Sequence, residues 1–289
     1  MVAGLFARGK EEREMGPEGI RKFVRDRYAG IASRGGSCCS PGADCGSRGT
    51  ASVLSKGIGY TEEEARSVPE GADLGLGCGN PTALATLAEG ETVLDLGSGA
   101  GFDCFLAARK VGETGRVIGV DMTPEMIEKA RGNAKKGGFG NIEFRLGEIE
   151  SLPVADASVD VILSNCVINL STEKERVFTE AYRVLRPGGR VMISDLVLTQ
   201  ELPEAVRSSL EAYAGCIGGA IPLPEYLGLM ESAGFRDIRI EKENSFDIAS
   251  GEREAYGKWF ADAFRIPLEA VRDAAGSVSS VSLSGIKPE

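Results

Sequence analysis

Val93-Leu94-Asp95-Leu96-Gly97-Ser98-Gly99-Ala100-Gly101 joins a strand-like run to a turn in which every second residue is glycine. Glycine lets a backbone turn tightly and approach a ligand closely. In open α/β folds such a turn, between a strand and a helix at the carboxyl edge of the sheet, forms a nucleotide pocket. A glycine repeat alone is a weak signal, but the next apolar run, Arg116–Asp121, ends in an acid about twenty residues further on. A carboxylate there is placed to accept hydrogen bonds from both ribose hydroxyls.

Outward from this stretch, short apolar runs at Thr92–Leu96, Arg116–Asp121, Ile142–Leu146, Val159–Asn165 and 190–198 alternate with helical patterns near 102–111, 124–136, 173–185 and 203–214. That alternation predicts βαβ units and a parallel sheet. Thr61-x-x-Glu64 and Thr172-x-x-Glu175 read as capping boxes. Arg186-Pro187-Gly188-Gly189 is expected to end the helix before it and turn the chain. Towards the amino terminus, residues 17–31 carry Ile20, Phe23, Val24, Tyr28 and Ile31 at helical spacing behind Pro17, and are read as a packing or cap helix. Residues 35–50 and 69–81 are glycine-rich loops. Beyond the core a helix over 225–233, a strand over 236–240, a helical insertion at 252–264 holding Trp259, and a last strand around 281–284 are expected. The division is 1–88 for a helical and cysteine-loop segment, 89–200 for the binding core, and 201–289 for a carboxyl-terminal part with closing strands.

Composition narrows the chemistry. In 289 residues, 42% hydrophobic and 26% charged describe an ordinary folded chain rather than a disordered or membrane-spanning one. The 43 acidic against 33 basic residues give a net charge of −10, which repels nucleic acid. No apolar run approaches a membrane span or a signal peptide, so a cytoplasmic protein without a membrane partner is expected. There is no histidine, which excludes a Ser/His/Asp triad, a histidine base and imidazole-bound zinc. The seven cysteines, Cys38, Cys39, Cys45, Cys78, Cys104, Cys166 and Cys216, argue against a disulfide framework and leave free thiols, redox chemistry or soft-metal ligation.

The pattern Asp95-x-Gly97-x-Gly99-x-Gly101 departs from the dinucleotide fingerprint and resembles motif I of class I S-adenosylmethionine-dependent methyltransferases. An acidic loop suits a sulfonium cation and its ammonium group. In that family Gly147-Glu148-Ile149-Glu150 falls where adenine is contacted, Asn165 ends the fourth strand, and Leu185-Arg186-Pro187-Gly188-Gly189 is the turn before the fifth. The resemblance implies a Rossmann-like fold with a mostly parallel seven-stranded sheet, a helical amino-terminal extension and helical lid or insertions. S-adenosyl-L-methionine is then the expected cofactor, held by Asp95, Gly97, Ser98, Gly99, Gly101, Asp121, Met122, Glu148, Ile149 and Asn165.

One branch fits over nearly the whole chain. Gly75-Leu76-Gly77-Cys78-Gly79-Asn80-Pro81, Gly101-Phe102-Asp103-Cys104, Asp121-Met122-Thr123-Pro124-Glu125-Met126, Ser164-Asn165-Cys166-Val167-Ile168-Asn169-Leu170 and Tyr213-Ala214-Gly215-Cys216-Ile217 resemble arsenite S-adenosylmethionine methyltransferases. The resemblance implies that Cys78, Cys166 and Cys216 bind trivalent arsenic. It also implies that an amino-terminal cysteine pairs with Cys78 during turnover, with Cys45 as our choice among Cys38, Cys39 and Cys45, and that a thiol reductant, thioredoxin or glutathione, restores the enzyme. Relatives place a cofactor-positioning tyrosine two residues before the first of these cysteines; this chain has Leu76, and that role is not carried over.

The residues read on their own agree in chemistry. No local metal motif joins Cys78, Cys166 and Cys216, yet each lies in a loop where ligands meet, and three thiolates suit a soft ion such as As(III). Arsenic held by thiolates has a lone pair and no proton to lose, so no general base is required. Each cysteine also has a packing alternative, and for Cys104, on the helix after the glycine turn, packing is the reading adopted. Cys38, Cys39 and Cys45 fit a zinc ligand set, an accidental cluster or a disulfide relay. The expectation is a monomeric enzyme of arsenic biotransformation or detoxification that methylates arsenite and methylarsenite. The alternatives are a methyltransferase of a small organic acceptor, quinone- or sterol-like, and a metalloid-binding protein without catalysis.

Overall fold

The computed structural model describes residues 16–34, 55–245 and 268–289. The expectations for the loop carrying Cys38, Cys39 and Cys45, and for the insertion with Trp259, lie outside the described residues. Helices α1 (Pro17–Arg34), α2 (Glu62–Ser67) and α3 (Pro81–Leu84) lead to β1 (Thr92–Leu96), α4 (Phe102–Val111), β2 (Arg116–Asp121), α5 (Pro124–Gly137) and β3 (Ile142–Leu146). Then come β4 (Val159–Asn165), a 3₁₀ turn (Ile168–Leu170), α6 (Lys174–Val184) and β5 (Leu185–Leu198). The chain continues through α7 (Glu204–Arg207), α8 (Leu210–Ala214), α9 (Leu223–Ala233), β6 (Arg236–Ser245), α10 (Leu268–Ala275) and β7 (Val278–Ile286).

The expected mostly parallel seven-stranded sheet is present, in the order β3-β2-β1-β4-β5-β7-β6. β7 runs antiparallel between β5 and β6, and the other neighbours are parallel. Side chains alternate across it as the pleat requires. Leu94, Leu96, Ile118 and Val120 face Val177, Phe178, Ala181 and Val184 of α6 and Tyr226 and Met230 of α9. Val93, Val117 and Val161 face Cys104, Phe105, Ala108 and Val111 of α4 and Ile127, Ala130 and Ala134 of α5. Both layers are thus covered by the apolar stripes of amphipathic helices. From β1 the strand order runs outward in one direction and from β4 in the other, so the crevice opens at the carboxyl ends of these two strands. Leu96 pairs with Ser164, so the glycine turn and the Asn165-Cys166 corner leave the sheet side by side.

The Thr61/Glu64 capping box forms in full. The one expected at Thr172 and Glu175 does not: α6 begins at Lys174, and the Glu173 N–H is taken by Ser171 Oγ at 3.0 Å. Arg186–Gly189 follows the helix, which ends at Val184 as expected, and turns only locally. Between the pairing of Leu185 with Val159 and that of Arg190 with Val161, these four residues form an irregularity in β5, with Gly188 at a φ of +77°, and the chain then resumes the same strand. β5 already runs through it, because Leu185 pairs with Val159, the Gly188 N–H donates to the Lys287 carbonyl, and Gly189 accepts from Lys287. The single helix expected over 203–214 is two, since the Ser209 hydroxyl accepts from Ala212 N and starts α8 afresh.

Candidate active site

Above the β1/β4 crevice lies a cleft enclosing about 1100 Å³, open to solvent at its mouth. Of the cofactor residues expected from sequence, Asp95, Gly97, Ser98, Gly99, Asp121, Met122, Ile149 and Asn165 line it. Gly97 has a φ of +65°, and a Cβ there would overlap the Val167 side chain, so no larger residue could make this turn beside the Cys166 loop. Two expected residues stand elsewhere. Gly101 is the cap residue before α4 and faces the Phe105 and Phe144 rings, while Glu148 lies off the lining, with its carboxylate 3.8 Å from Arg21. Glu150, two residues on, lines the cleft instead.

Asp121 accepts the Gly99 N–H at 3.0 Å and the Thr123 N–H at 2.8 Å. Those bonds fix the glycine turn to the end of β2. Burial raises the Asp121 pKa, and the two N–H groups oppose the rise. Asp95 is 3% exposed, and the Cys104 thiol donates to it at 3.2 Å. Cys104, read as a packing residue, does pack in the core, and it also orients this carboxylate. Burial, then the neighbouring Asp103 carboxylate, pushes the Asp95 pKa well above the usual range. Asp103 is likewise raised by burial, against the donors Thr82, Tyr60 and Asn165. Five carboxylates, Asp73, Asp95, Asp103, Asp121 and Glu150, and one guanidinium, Arg21, line the cleft. Burial disfavours the ionised form of these two carboxylates, and a cation placed beside them would favour it, so the hollow is suited to a positive charge. A sulfonium centre with an ammonium group and a ribose diol fits this donor set.

Asn165 ties the cleft to the cysteines. Its Nδ2 donates to Gly79 O at 2.9 Å, Asp103 Oδ2 at 3.1 Å and the Tyr60 hydroxyl oxygen at 2.9 Å, and its Oδ1 accepts the Cys78 N–H at 2.9 Å. The Cys78 carbonyl accepts from Ser280 on β7 at 2.8 Å, so the Cys78 backbone is held from both sides. The Cys166 N–H donates to Ser194 O on β5.

The three cysteines, distant in sequence, share one apolar cluster with Leu196, Leu202 and Val206. Cys78 and Cys166 are joined as a disulfide, with Cα atoms 5.5 Å apart, and the Cys216 thiol donates to the Cys166 carbonyl at 2.7 Å. The structure therefore corrects the expectation of unlinked thiols at Cys78 and Cys166; the pairing of Cys78 with an amino-terminal cysteine during turnover, with Cys45 as the choice, falls on residues outside the described ones. In this bonded state no group of three or more Cys, Asp or Glu side chains among the described residues is arranged to hold a metal ion. Cys166 lines the cleft; Cys78 and Cys216 stand just behind it. Cys166 and Cys216 have φ values of +59° and +68°, a left-handed conformation that costs a side-chain-bearing residue about 1–3 kcal/mol and clusters at functional sites. At Gly219 a Cβ would overlap the Asn169 carbonyl, so the Cys216 loop rests directly on the turn that follows Cys166.

The residues that reading the sequence missed are Arg21, Tyr28, Tyr60 and Asp103, all on the lining. Asp103 sits inside a quoted motif, but nothing in its spacing said that it would turn inward. Among the described residues no helix is long and apolar enough to cross a membrane.

Residues 87–262 match a methyltransferase domain family. An arsenite methyltransferase of Halobacterium salinarum is 54% identical over 242 residues, 81% of this chain and 62% of that protein. One from Aquipseudomonas alcaligenes is 40% identical over 200 residues, 66% of this chain and 57% of that protein. The chain thus spans about six-tenths of the length of these curated relatives. The crystal structure of an arsenic(III) S-adenosylmethionine methyltransferase from Chlamydomonas reinhardtii superposes with a TM-score of 0.59 at 33% identity, covering 84% of this chain and 75% of that one.

Proposed function

This chain belongs to the methyltransferase domain family and, within it, to the arsenite S-adenosylmethionine methyltransferases, and from that premise we propose that it methylates trivalent arsenic held by Cys78, Cys166 and Cys216. The observation that carries the proposal is the meeting of three sulfur-bearing loops in one cluster beside an acidic cleft at the sheet's switch point. Thiolates are soft ligands matched to As(III), and an apolar surround of Leu196, Leu202 and Val206 keeps water from competing.

S-adenosylmethionine supplies a methyl group on a sulfonium centre that leaves as a neutral thioether. Asp95 and Asp103 receive its positive charge, Asp121 its ribose, and the backbone around Ile149 its adenine. Asn165 keeps Asp103 in register with Cys78. The arsenic lone pair makes the new As–C bond as the methyl–sulfur bond breaks, without releasing a proton, which suits a chain with no histidine to act as base. Arsenic thereby passes from the trivalent to the pentavalent level, and two electrons from thiols, leaving them as a disulfide, are needed to return it. What the protein contributes is alignment, for which effective molarities correspond to about 7–11 kcal/mol of barrier.

The Cys78–Cys166 disulfide blocks two of the three ligands. Two electrons and two protons from a thiol reductant, thioredoxin or glutathione, open it to two thiols before arsenite can bind. The protein works in the cytoplasm, as a monomer, in arsenic detoxification.

Purified protein incubated with arsenite, S-adenosylmethionine and a dithiol is expected to yield methylarsenicals. Methylation of a quinone-like carbon or oxygen acceptor with none of arsenite would overturn the reading in favour of an organic substrate. Tight arsenite binding with no cofactor consumption would turn it into sequestration.

A further inference from the structure

Helix α1, expected from sequence to be a packing element, spans the mouth of the cleft. Arg21, Val24 and Tyr28, at i, i+3 and i+7, share one helical face and line the cleft. Arg21 at one end reaches carboxylates on two separate segments: its Nη2 is 2.9 Å from Glu173 and 4.0 Å from Glu150, and its Nη1 is 3.8 Å from Glu148. Glu148 and Glu150 follow β3 at the adenine end, and Glu173 lies in the stretch that follows Cys166. About two turns along the same face, the Tyr28 hydroxyl donates to the carbonyl of Ala214 at 3.2 Å, two residues before Cys216. The helix packs against α5 on the cofactor side and against α8, whose last residue is Ala214, on the cysteine side.

Building on the cofactor part of the function proposed above, we propose that α1 is a strap coupling the filling of the cleft to the placement of Cys216, with Tyr28 as the positioning residue and Arg21 as the latch. A ligand beneath Val24 and Tyr28 fixes that face of the helix, and the fixed Tyr28 hydroxyl holds the Ala214 carbonyl and hence the loop that carries Cys216. Cys216 does not line the cleft, so a ligand there reaches it through the strap and not by covering it. The coupling is reciprocal: whatever orders the Cys216 loop tightens the cleft by the same factor.

The test uses the full chain with its Cys78–Cys166 disulfide intact. Alkylation of Cys216 by iodoacetamide is followed by mass spectrometry of its peptide, with and without saturating S-adenosylhomocysteine, whose binding is measured separately by calorimetry. In the unaltered protein the ligand should slow Cys216 alkylation about three- to tenfold, the scale of one or two hydrogen bonds. In Tyr28→Phe and, independently, Arg21→Met, the ligand should still bind but the slowing should fall towards none; in separate assays on the dithiol-reduced proteins, the kcat for arsenite methylation should drop more than the cofactor KM rises. Slowing of equal size in the variants, or none in the unaltered protein with ligand bound, would overturn the strap. Failure of S-adenosylhomocysteine to bind at all is a separate result: it would overturn the cofactor assignment, and the strap with it.

Discussion

The Cys216 sulfur lies 2.7 Å from the carbonyl oxygen of Cys166, although fifty residues separate them, and both residues hold a left-handed backbone. In the function proposed above Cys216 is the third ligand, and the other two, Cys78 and Cys166, are bonded to each other. Replacing Cys216 by serine removes one soft ligand and leaves the fold's contacts almost unchanged. Cys216→Ser and Cys166→Ser are each expected to lower arsenite methylation at least a hundredfold while cofactor binding stays within about threefold, as calorimetry would show. Retained methylation in either variant would rule out three-sulfur binding as the route.

Thiol titration before and after a dithiol should show two additional thiols per chain, from Cys78 and Cys166. Arsenite added to the unreduced protein should bind weakly, and methylation without reductant should stop. Full activity of the disulfide-bonded protein would separate this bond from the catalytic cycle.

Asp121 anchors the glycine turn through Gly99 and lines the cleft, where the proposed function gives it the ribose. Asp121→Ala is expected to raise the KM for S-adenosylmethionine about 10- to 100-fold, the range for losing charged hydrogen bonds, with a smaller effect on kcat. Steady-state kinetics with cofactor varied at saturating arsenite checks this.

The raised pKa values of Asp95 and Asp103 give the cofactor a pH signature. A cation favours the ionised carboxylates, so its binding releases protons and strengthens as pH rises. S-adenosylhomocysteine, which has no sulfonium charge, should bind with a shallower pH dependence. Calorimetry of both ligands in buffers of different ionisation enthalpy measures the proton release; equal release for the two would place the sulfonium away from these acids.

Behind the cysteine loops Asp195 is buried, accepting from Asn169, Tyr226 and the Leu196 N–H. Burial pushes its pKa up to about 7, against the nearby Lys174. In the unfolded chain it ionises near 3.8, so the stability this group lends the fold is lost progressively as pH rises from about 4 to 7, and above that its cost is constant and the slope is zero. Asp195→Asn should flatten that slope, by a few kcal/mol at most, in urea unfolding measured at pH 5 and pH 8. An unchanged slope would mean that Asp195 is ionised in the native protein well below pH 7.

The strands β1 to β4 were legible to the residue: β1, β2 and β4 are short apolar runs buried within the sheet, while β3, at its edge, alternates apolar Ile142, Phe144 and Leu146 with charged Glu143 and Arg145. The glycine turn and Asp121 were legible because backbone geometry there admits few residues. What was not legible depends on partners brought by the fold. β5 begins before its apolar run because Lys287, a hundred residues on, completes its ladder. Tyr60, Asp103 and Asn165 become one hydrogen-bonded unit only when the stretch from Tyr60 through α2 to the start of α3 folds over β4. The Cys78–Cys166 bond follows from that same folding, and no spacing encodes it. Tyr28 looked like a core residue because its helical phase is right for packing; its hydroxyl gains a role only from where Ala214 lies.

X-ray absorption at the arsenic edge, on reduced protein carrying one equivalent of arsenite, bears most directly on whether three sulfurs from separate loops hold the substrate. Three sulfur neighbours are expected in the unaltered protein, falling to two in Cys216→Ser. Oxygen in the first shell of the unaltered protein, or three sulfurs persisting in Cys216→Ser, would contradict it.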